Sequence, residues 1–204
     1  MSGLFLVFEG IDGSGKGVQC GRLYQFLISH GYETIKTREP TDSQWGRKIA
    51  EIAAGGRENI SPQEELEFFL KDREHHIHNV IQPSLNEGKI VVCDRYYFST
   101  IAYQGALGID TDYIRRLNEE QYRFPQPTRV FYLDVPPHIA LARIAADRPN
   151  GANIGYEQLD YLQKVKAIFD SLDYPFFVRI DGTQTPDETA EIIIAEVESL
   201  LHKN

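Results

Sequence analysis

The segment Leu4–Gly17 reads LFLVFEGIDGSGKG, and it decides the fold. Its first half, Leu4–Phe8, is a short apolar run, which is typical of a strand buried on both faces. Its second half fits the pattern Gly10-x-x-x-x-Gly15-Lys16, a loop whose backbone N–H groups converge on phosphate oxygens at the start of a helix. The segment therefore predicts a nucleotide phosphate site, although a plain strand-to-helix turn would also use these glycines.

The residues at the end of this loop bear on how metal would bind. Lys16 adds a compact positive charge for the β- and γ-phosphates of a nucleotide. The next residue usually supplies a hydroxyl to Mg²⁺, but here it is Gly17, so we expect Mg²⁺ to have fewer direct protein ligands. The predicted residues for binding ATP in this loop are Gly10, Ile11, Asp12, Gly13, Ser14, Gly15, Lys16 and Gly17.

Length and charge limit the possible functions. The 204 residues allow one sizeable core and are few for two domains, so we expect a single domain over 1–204. The net charge of −9 disfavours general binding to nucleic acid or membranes, so an anionic substrate needs a local basic pocket. Cys20 and Cys93 lack metal-type spacing. No signal peptide or membrane span is evident, and we expect a cytoplasmic protein.

Strand patterns alternate with helical patterns along the chain. The predicted strands cover 4–8, 32–37, 90–93, 129–134 and 176–180. The predicted helices cover 18–30, 45–54, 61–81, 99–104, 110–121, 136–146, 156–170 and 186–201. Nearly all-apolar strands separated by helices predict an α/β fold of three layers, with a five-stranded parallel sheet covered by helices on both faces. The polar, Gly-rich segment 147–155 predicts a short lid.

Polar residues follow the first three predicted strands. Asp12 and Lys16 follow the first strand, Arg38 follows the second, and Asp94-Arg95 follows the third. Ligands of such sheets bind outside the carboxyl ends of the strands. The sequence therefore predicts one cleft to which three separate segments contribute.

Extra arginines in this cleft indicate a second phosphorylated ligand. Arg38, Arg73 and Arg95 are not needed to bind the triphosphate, and the planar fork of arginine suits a phosphate. Arg73 would alternatively lie on a solvated helix face. Phosphoryl transfer requires charge neutralisation and exclusion of water, which the predicted lid would provide. Either Arg148 in that lid or the nearby Arg143 would contact the transferred phosphate.

Two carboxylates complete the predicted cleft. Asp94 lies at the end of an apolar strand, where it would hold Mg²⁺ through water or position Arg95. Asp12 would orient an attacking oxygen or accept a hydrogen bond from a sugar hydroxyl, unless it only stabilises the turn.

Five motifs together resemble the thymidylate kinase family of P-loop nucleoside monophosphate kinases. They are FEGIDGSGKG (8–17), TREP (37–40), FFLKDREHH (68–76), CDRYYFSTIAYQG (93–105) and FYLDVPPHIALARI (131–144). The resemblance covers essentially the whole chain. It implies a homodimeric enzyme that phosphorylates dTMP to dTDP with ATP and Mg²⁺. The open alternatives are a kinase for AMP or UMP and a catalytically idle nucleotide-binding protein.

The resemblance also implies roles for individual residues. Phe69 would stack on thymine, although its neighbours suggest that it could instead pack in the core. Arg95 would bind the dTMP phosphate with Arg38 nearby, and Tyr103 would line the deoxyribose. The implied substrate-binding residues are Arg38, Phe69, Arg73, Arg95, Thr100, Tyr103 and Gln104.

The resemblance further implies how catalysis is divided between loop and lid. Gly13 and Ser14 stand where some family members carry a loop arginine, which implies a lid arginine, Arg148. Asp12 would approach the 3′-hydroxyl of dTMP. Segment 180–184, with Gln184, would wrap the adenine. The implied catalytic residues are Asp12, Lys16, Arg95 and Arg148, the implied ATP-binding residues beyond the loop are Arg143 and Gln184, and the implied metal ligand is Asp94.

Overall fold

The computed structural model describes residues 3–55, 60–147 and 158–202. It contains a five-stranded sheet in the order β2-β3-β1-β4-β5, and every neighbouring pair is parallel. The strands are β1 (Phe5–Glu9), β2 (Thr34–Arg38), β3 (Ile90–Asp94), β4 (Arg129–Asp134) and β5 (Phe177–Asp181). The predicted parallel α/β sheet is confirmed.

Helices connect and cover these strands. They are α1 (Lys16–Ser29), α2 (Gln44–Gly55), α3 (Pro62–His76), α4 (Gln82–Asn86), α5 (Tyr97–Ala106), α6 (Thr111–Arg116), α7 (Pro137–Asp147), α8 (Leu159–Ser171) and α9 (Pro186–Leu201). Single π-helical turns cover Ile77–Ile81 and Leu117–Gln121. Over the described ranges, no helix has both the length and the apolar character that a membrane crossing requires.

Several predicted helix boundaries are wrong, and the first helix starts at Lys16 instead of residue 18. The helix predicted to end near Ile81 continues to Asn86, because a π-helical turn changes its hydrogen-bond register before Pro83. The helix predicted at 99–104 starts two residues earlier. Asp147, predicted to open the lid, is instead the last residue of α7, and the rest of the lid, 148–155, lies outside the described residues.

Alternate side chains of the central strand enter two separate cores. Phe5 and Val7 belong to the core beneath α3, α5 and α8, whereas Leu6 and Phe8 belong to the core beneath α1 and α9. Successive strand side chains point to opposite faces, so a strand covered on both sides must be apolar throughout. This requirement explains why β1 reads as a continuous hydrophobic run.

The sheet register brings the predicted functional segments together. β3 lies between β1 and β2, and Asp94 pairs with Phe8 on one side and with Arg38 on the other. The chain segments that leave β1, β2 and β3 therefore emerge side by side at one edge, as predicted.

A tight contact between α2 and the turn that precedes it can be tested with two glycines. A Cβ atom on Gly46 would lie 1.9 Å from the carbonyl oxygen of Thr41. Gly46→Ala should lower the free energy of unfolding by about 1–3 kcal/mol through overpacking. Gly21→Ala in α1 is the control, because its Cβ meets no atom within 4 Å. The free energy of unfolding of that variant should rise by about 1 kcal/mol, because alanine has a higher helix propensity than glycine. Equal urea midpoints for the two variants would contradict this packing.

Candidate active site

The loop between β1 and α1 has the backbone geometry of a phosphate-binding loop. Gly10, Gly13 and Gly15 have φ values of 144°, 79° and 94°, which L side chains rarely adopt. Gly15 is the N-cap of α1 and provides no side-chain cap. The first N–H groups of α1 and the positive end of its dipole therefore face the cleft, where an anionic group would be stabilised.

The Lys16 ammonium lies inside this loop. Its Nζ donates hydrogen bonds to the carbonyl oxygens of Gly10 (2.9 Å) and Ile11 (2.8 Å). Burial lowers the pKa of Lys16 to about 8, and the nearby Arg95 charge acts in the same direction. The ammonium is thus predominantly charged at neutral pH, beside the carbonyl oxygens of the loop.

An ion pair between Asp12 and Arg95 joins the loop to the end of β3. Arg95 Nη2 donates to Asp12 Oδ1 (2.6 Å), and the Tyr103 hydroxyl donates to Asp12 Oδ2 (3.1 Å). Burial alone would raise the pKa of Asp12, but the Arg95 and Lys16 charges hold that pKa below its usual value. Arg95 itself adopts a φ of 72°, a left-handed conformation that is costly for a non-glycine residue.

A cavity of about 250 Å³ opens beside this ion pair. Its lining contains four of the predicted substrate-binding residues, Phe69, Arg95, Thr100 and Tyr103. The remaining lining residues are Asp12, Pro40, Ile49, Ala50, Ala53 and Ser99. An aromatic ring and small apolar side chains therefore line the same space as a guanidinium and a carboxylate, a combination suited to a nucleotide.

A second cavity, of about 300 Å³, adjoins the first and shares Arg95 with it. It contains Arg38, whose side chain is 71% exposed and whose Nη2 lies 3.7 Å from Asp42 Oδ1. It also contains Arg47, a residue that the sequence analysis missed, whose Nη1 donates to the carbonyl oxygen of Asp42 (2.6 Å). This opening is thus lined by three arginines and also by three carboxylates, those of Glu39, Asp42 and Asp94.

Arg73 is buried among hydrogen-bond partners and is absent from the lining of both cavities. It is 1% exposed, so the alternative of a solvated helix face is wrong. The guanidinium donates to Glu39 Oε2 (2.8 Å), Asn118 Oδ1 (2.9 Å) and Thr100 Oγ1 (2.9 Å). Because Thr100 lines the first cavity, Arg73 supports its wall from behind.

Gln104 is also fully buried. Its Nε2 donates to Glu65 Oε2 (3.2 Å), whereas its Oε1 has no hydrogen-bond partner within the described ranges. Like Arg73, it lies outside the cavity lining. Contact of Gln104 with a substrate stays a prediction.

The sequence analysis missed several buried carboxylates, of which Glu9 and Asp72 bind segments that line the cleft. Glu9 ends β1, is 0% exposed, and has its pKa raised to about 7 by burial. Asp72 on α3 accepts hydrogen bonds from Thr41 N (2.8 Å), Thr41 Oγ1 (2.5 Å) and Ser43 Oγ (2.6 Å). The signal for Glu9 was an acidic residue closing an otherwise apolar strand. Asp72 gave no such signal, since its partners lie about thirty residues away in the sequence.

Asp94 has the geometry expected of a residue that helps to hold a cation. Its Oδ1 is buried and lacks a hydrogen-bond partner in the described part of the chain. A Cβ atom on Gly17 would lie 3.4 Å from Asp94 Oδ2, so the hydroxyl absent at position 17 would have faced this carboxylate. No group of three or more His, Cys, Asp or Glu side chains suited to a metal occurs among the described residues. The donor set therefore fits Mg²⁺ held by one carboxylate, water and phosphate.

The predicted adenine and lid residues are only partly described. Gln184 follows β5, and its Oε1 is buried without a hydrogen-bond partner in the described ranges. Arg143 lies on α7, which packs closely on the loop, since a Cβ on Gly13 would lie 2.3 Å from the Ala140 carbonyl oxygen. Arg148 lies outside the described residues.

Comparisons with known proteins agree on one family. Residues 8–193 match the family model described as thymidylate kinase. A thymidylate kinase of Desulfotalea psychrophila is 39% identical over 199 residues, which cover 98% of this chain and 96% of that protein. One from Akkermansia muciniphila is 40% identical, over 92% of this chain and 88% of that protein. A probable thymidylate kinase of Archaeoglobus fulgidus is 41% identical, over 98% of this chain and 97% of that protein.

Proposed function

The chain belongs to the thymidylate kinase family and phosphorylates dTMP with ATP, and from that premise we propose how its residues do so. The two substrates meet at the edge where β1, β2 and β3 end. One observation carries the proposal: the Asp12–Arg95 ion pair connects the phosphate loop that holds Lys16 with the cavity that holds Phe69. This connection supports the proposal that two phosphorylated ligands bind within reach of each other.

ATP binds on the side of the loop. The N–H groups at the start of α1 and the Lys16 ammonium bind the β- and γ-phosphates. Gln184 contacts the adenine through its buried, unpartnered oxygen. Asp94 holds Mg²⁺, which when bound neutralises charge on the phosphate oxygens.

dTMP binds in the cavity of about 250 Å³. Phe69 stacks on the thymine, Tyr103 packs against the deoxyribose, and Arg95 binds the phosphate, with Arg38 at the adjoining opening. Thr100 contributes to the wall with Arg73 behind it. Asp12 binds the Arg95 guanidinium, and we propose that its carboxylate also approaches the 3′-hydroxyl of dTMP.

The reaction needs positioning more than acid–base chemistry. The nucleophile is an oxygen of the dTMP phosphate, which is already anionic at neutral pH. Lys16 and Arg95 reduce the repulsion between the two phosphates and align them for in-line transfer. A lid arginine, Arg148, completes the positive charge around the transferred group and excludes water.

Substrate specificity tests this function directly. ATP consumption should be fastest with dTMP, and AMP and UMP should turn over far more slowly, because the cavity is shaped by Phe69 and Tyr103. Lys16→Ala should reduce dTDP formation to background. Equal turnover of AMP and dTMP would contradict the assignment, and dTDP formation no higher than that of Lys16→Ala would favour the idle protein.

The lid arginine can be identified by comparing two variants. Arg148→Ala should lower kcat by roughly 10³-fold or more, since this is the size of effect that arginine fingers supply in phosphoryl transfer. Arg143→Ala, a matched loss of one arginine from α7, should have a much smaller effect. Single-turnover rates with saturating dTMP would measure both. If Arg148→Ala lowered kcat only twofold and Arg143→Ala lowered it strongly, Arg143 would be the arginine that contacts the transferred phosphate.

A serine in place of Gly17, the residue after the loop lysine, should increase the affinity for a divalent metal ion. Gly17→Ser places a hydroxyl beside Asp94, so it should tighten binding of Mn²⁺ in the presence of ADP by roughly threefold or more, equivalent to part of one hydrogen bond. Electron paramagnetic resonance of free Mn²⁺ measures this without turnover. Gly21→Ser, the same change one turn later in α1, should leave it unchanged. Equal Mn²⁺ affinity in both variants would contradict the prediction that a hydroxyl at position 17 reaches the metal.

We also propose a cytoplasmic homodimer. Both cysteines are free and buried, which is usual in a reducing compartment. The partly exposed face of α2 and α3 carries Trp45 stacked on Phe68 (6.1 Å between centroids), an aromatic surface suited to a second copy. Sedimentation equilibrium should give twice the chain mass of 23.3 kDa, and a monomer mass would contradict the dimer.

A further inference from the structure

The first turn of α5 is capped by a residue far away in the sequence. The N-cap residue, Tyr96, makes no side-chain cap. Instead Glu9 Oε1 accepts hydrogen bonds from Tyr96 N (2.8 Å) and Ser99 N (3.1 Å). These N–H groups belong to the first turn of the helix, where Ser99 N also donates to the Tyr96 carbonyl oxygen (3.1 Å). Glu9 thus fixes α5 to the end of β1.

The second oxygen of Glu9 reaches the cleft through one hydroxyl group. Ser99 Oγ donates to Glu9 Oε2 (2.5 Å) and accepts from Arg95 Nη1 (2.8 Å). A serine hydroxyl has a single hydrogen, and an arginine guanidinium can only donate. The Ser99 hydrogen is therefore directed at Glu9, and its lone pairs are directed at Arg95.

Arg95 is consequently held by two carboxylates, one directly and one through a relay. Asp12 binds Nη2, and Glu9 acts on Nη1 by way of Ser99. The Arg95 backbone is anchored too, since its N–H donates to the Phe8 carbonyl oxygen (2.9 Å). These contacts fix the orientation of the guanidinium plane, and Arg95 lines the cavity.

We propose that Glu9 is a positioning residue for the acceptor phosphate, acting on Arg95 through the Ser99 hydroxyl. The proposal rests on the proposed role of Arg95 in binding the phosphate of dTMP. Glu9 is fully buried and does not line the cavity, so it acts without touching the substrate. Burying a carboxylate here carries a desolvation cost, visible in its raised pKa, that a helix cap alone does not require, because an uncharged Ser or Asn side chain also caps helices.

A double-mutant cycle tests this relay. Glu9→Gln keeps an oxygen for the α5 N–H groups but removes the acceptor for the Ser99 hydroxyl, and Ser99→Ala removes the hydroxyl itself. Each should raise the KM for dTMP about tenfold, the order expected for a hydrogen bond to a charged group, with the KM for ATP within twofold. The double variant should be no worse than the worse single variant. An unchanged KM for dTMP in Glu9→Gln, or multiplying effects in the cycle, would overturn the proposal.

Two further variants distinguish the relay from a general loosening of α5 and from a failure of the proposed role of Arg95. Glu119→Gln is the control for loosening α5, because Glu119 accepts from the Tyr97 hydroxyl (3.2 Å) without reaching Arg95. It should leave the KM for dTMP within twofold. A tenfold rise would mean that any loosening of α5 is enough to raise this KM.

Arg95→Lys keeps the positive charge and loses the planar guanidinium that binds two oxygens. If it leaves the KM for dTMP unchanged, the proposed role of Arg95 fails and the relay with it. If only Arg95→Lys raises that KM, the relay alone fails.

The relay can still be tested if Glu9→Gln does not fold, which circular dichroism would reveal. Ser99→Thr keeps the hydroxyl, and Ser99→Ala does not. A normal KM for dTMP in Ser99→Thr beside a raised one in Ser99→Ala supports the relay. Equal values in the two variants overturn it.

Discussion

The ion pair between Asp12 and Arg95 is the interaction on which the rest of the site depends. It connects the loop after β1 to the segment after β3. Asp12 compensates the charge of the Arg95 side chain, which is 17% exposed, whereas the Asp12 side chain keeps 39% of its surface in solvent. The pair also explains why Arg95 retains a left-handed backbone: the strain is compensated by contacts on both sides of the residue.

Buried polar residues of α3 hold the segments that surround this ion pair. Asp72 holds the turn after β2, and Arg73 holds Glu39 and the wall residue Thr100. Neighbouring residues of one helix thus fix two segments that line the cleft. Buried charges contribute little to stability. When every charge has its partner, however, the contacts define a single conformation of the side chains, and a substrate pocket requires such a fixed shape. The threonine, aspartate and serine that follow Pro40 form a turn held rigidly by Asp72.

Much of this architecture could be predicted from the sequence because it depends on local patterns. Apolar strands indicated a covered parallel sheet, the glycines indicated the loop, and the strand ends indicated which polar residues converge. The burial of Arg73 and the roles of Glu9 and Asp72 could not be predicted, because their partners lie about thirty to ninety residues away. A charged helix segment such as LKDREHH looks the same in sequence whether its arginine faces solvent or Glu39. The π-helical turn before Pro83 was missed because periodicity does not mark a single inserted residue.

We propose that Arg95, aimed from Asp12, holds the acceptor phosphate opposite the loop that holds Lys16. The most direct measurement is a crystal structure of the complex with dTMP and a non-hydrolysable ATP analogue. The account predicts the dTMP phosphate within about 3 Å of the Arg95 guanidinium nitrogens, with the thymine against Phe69. A phosphate bound instead at the Arg38 and Arg47 opening, with Arg95 contacting only protein, would contradict it.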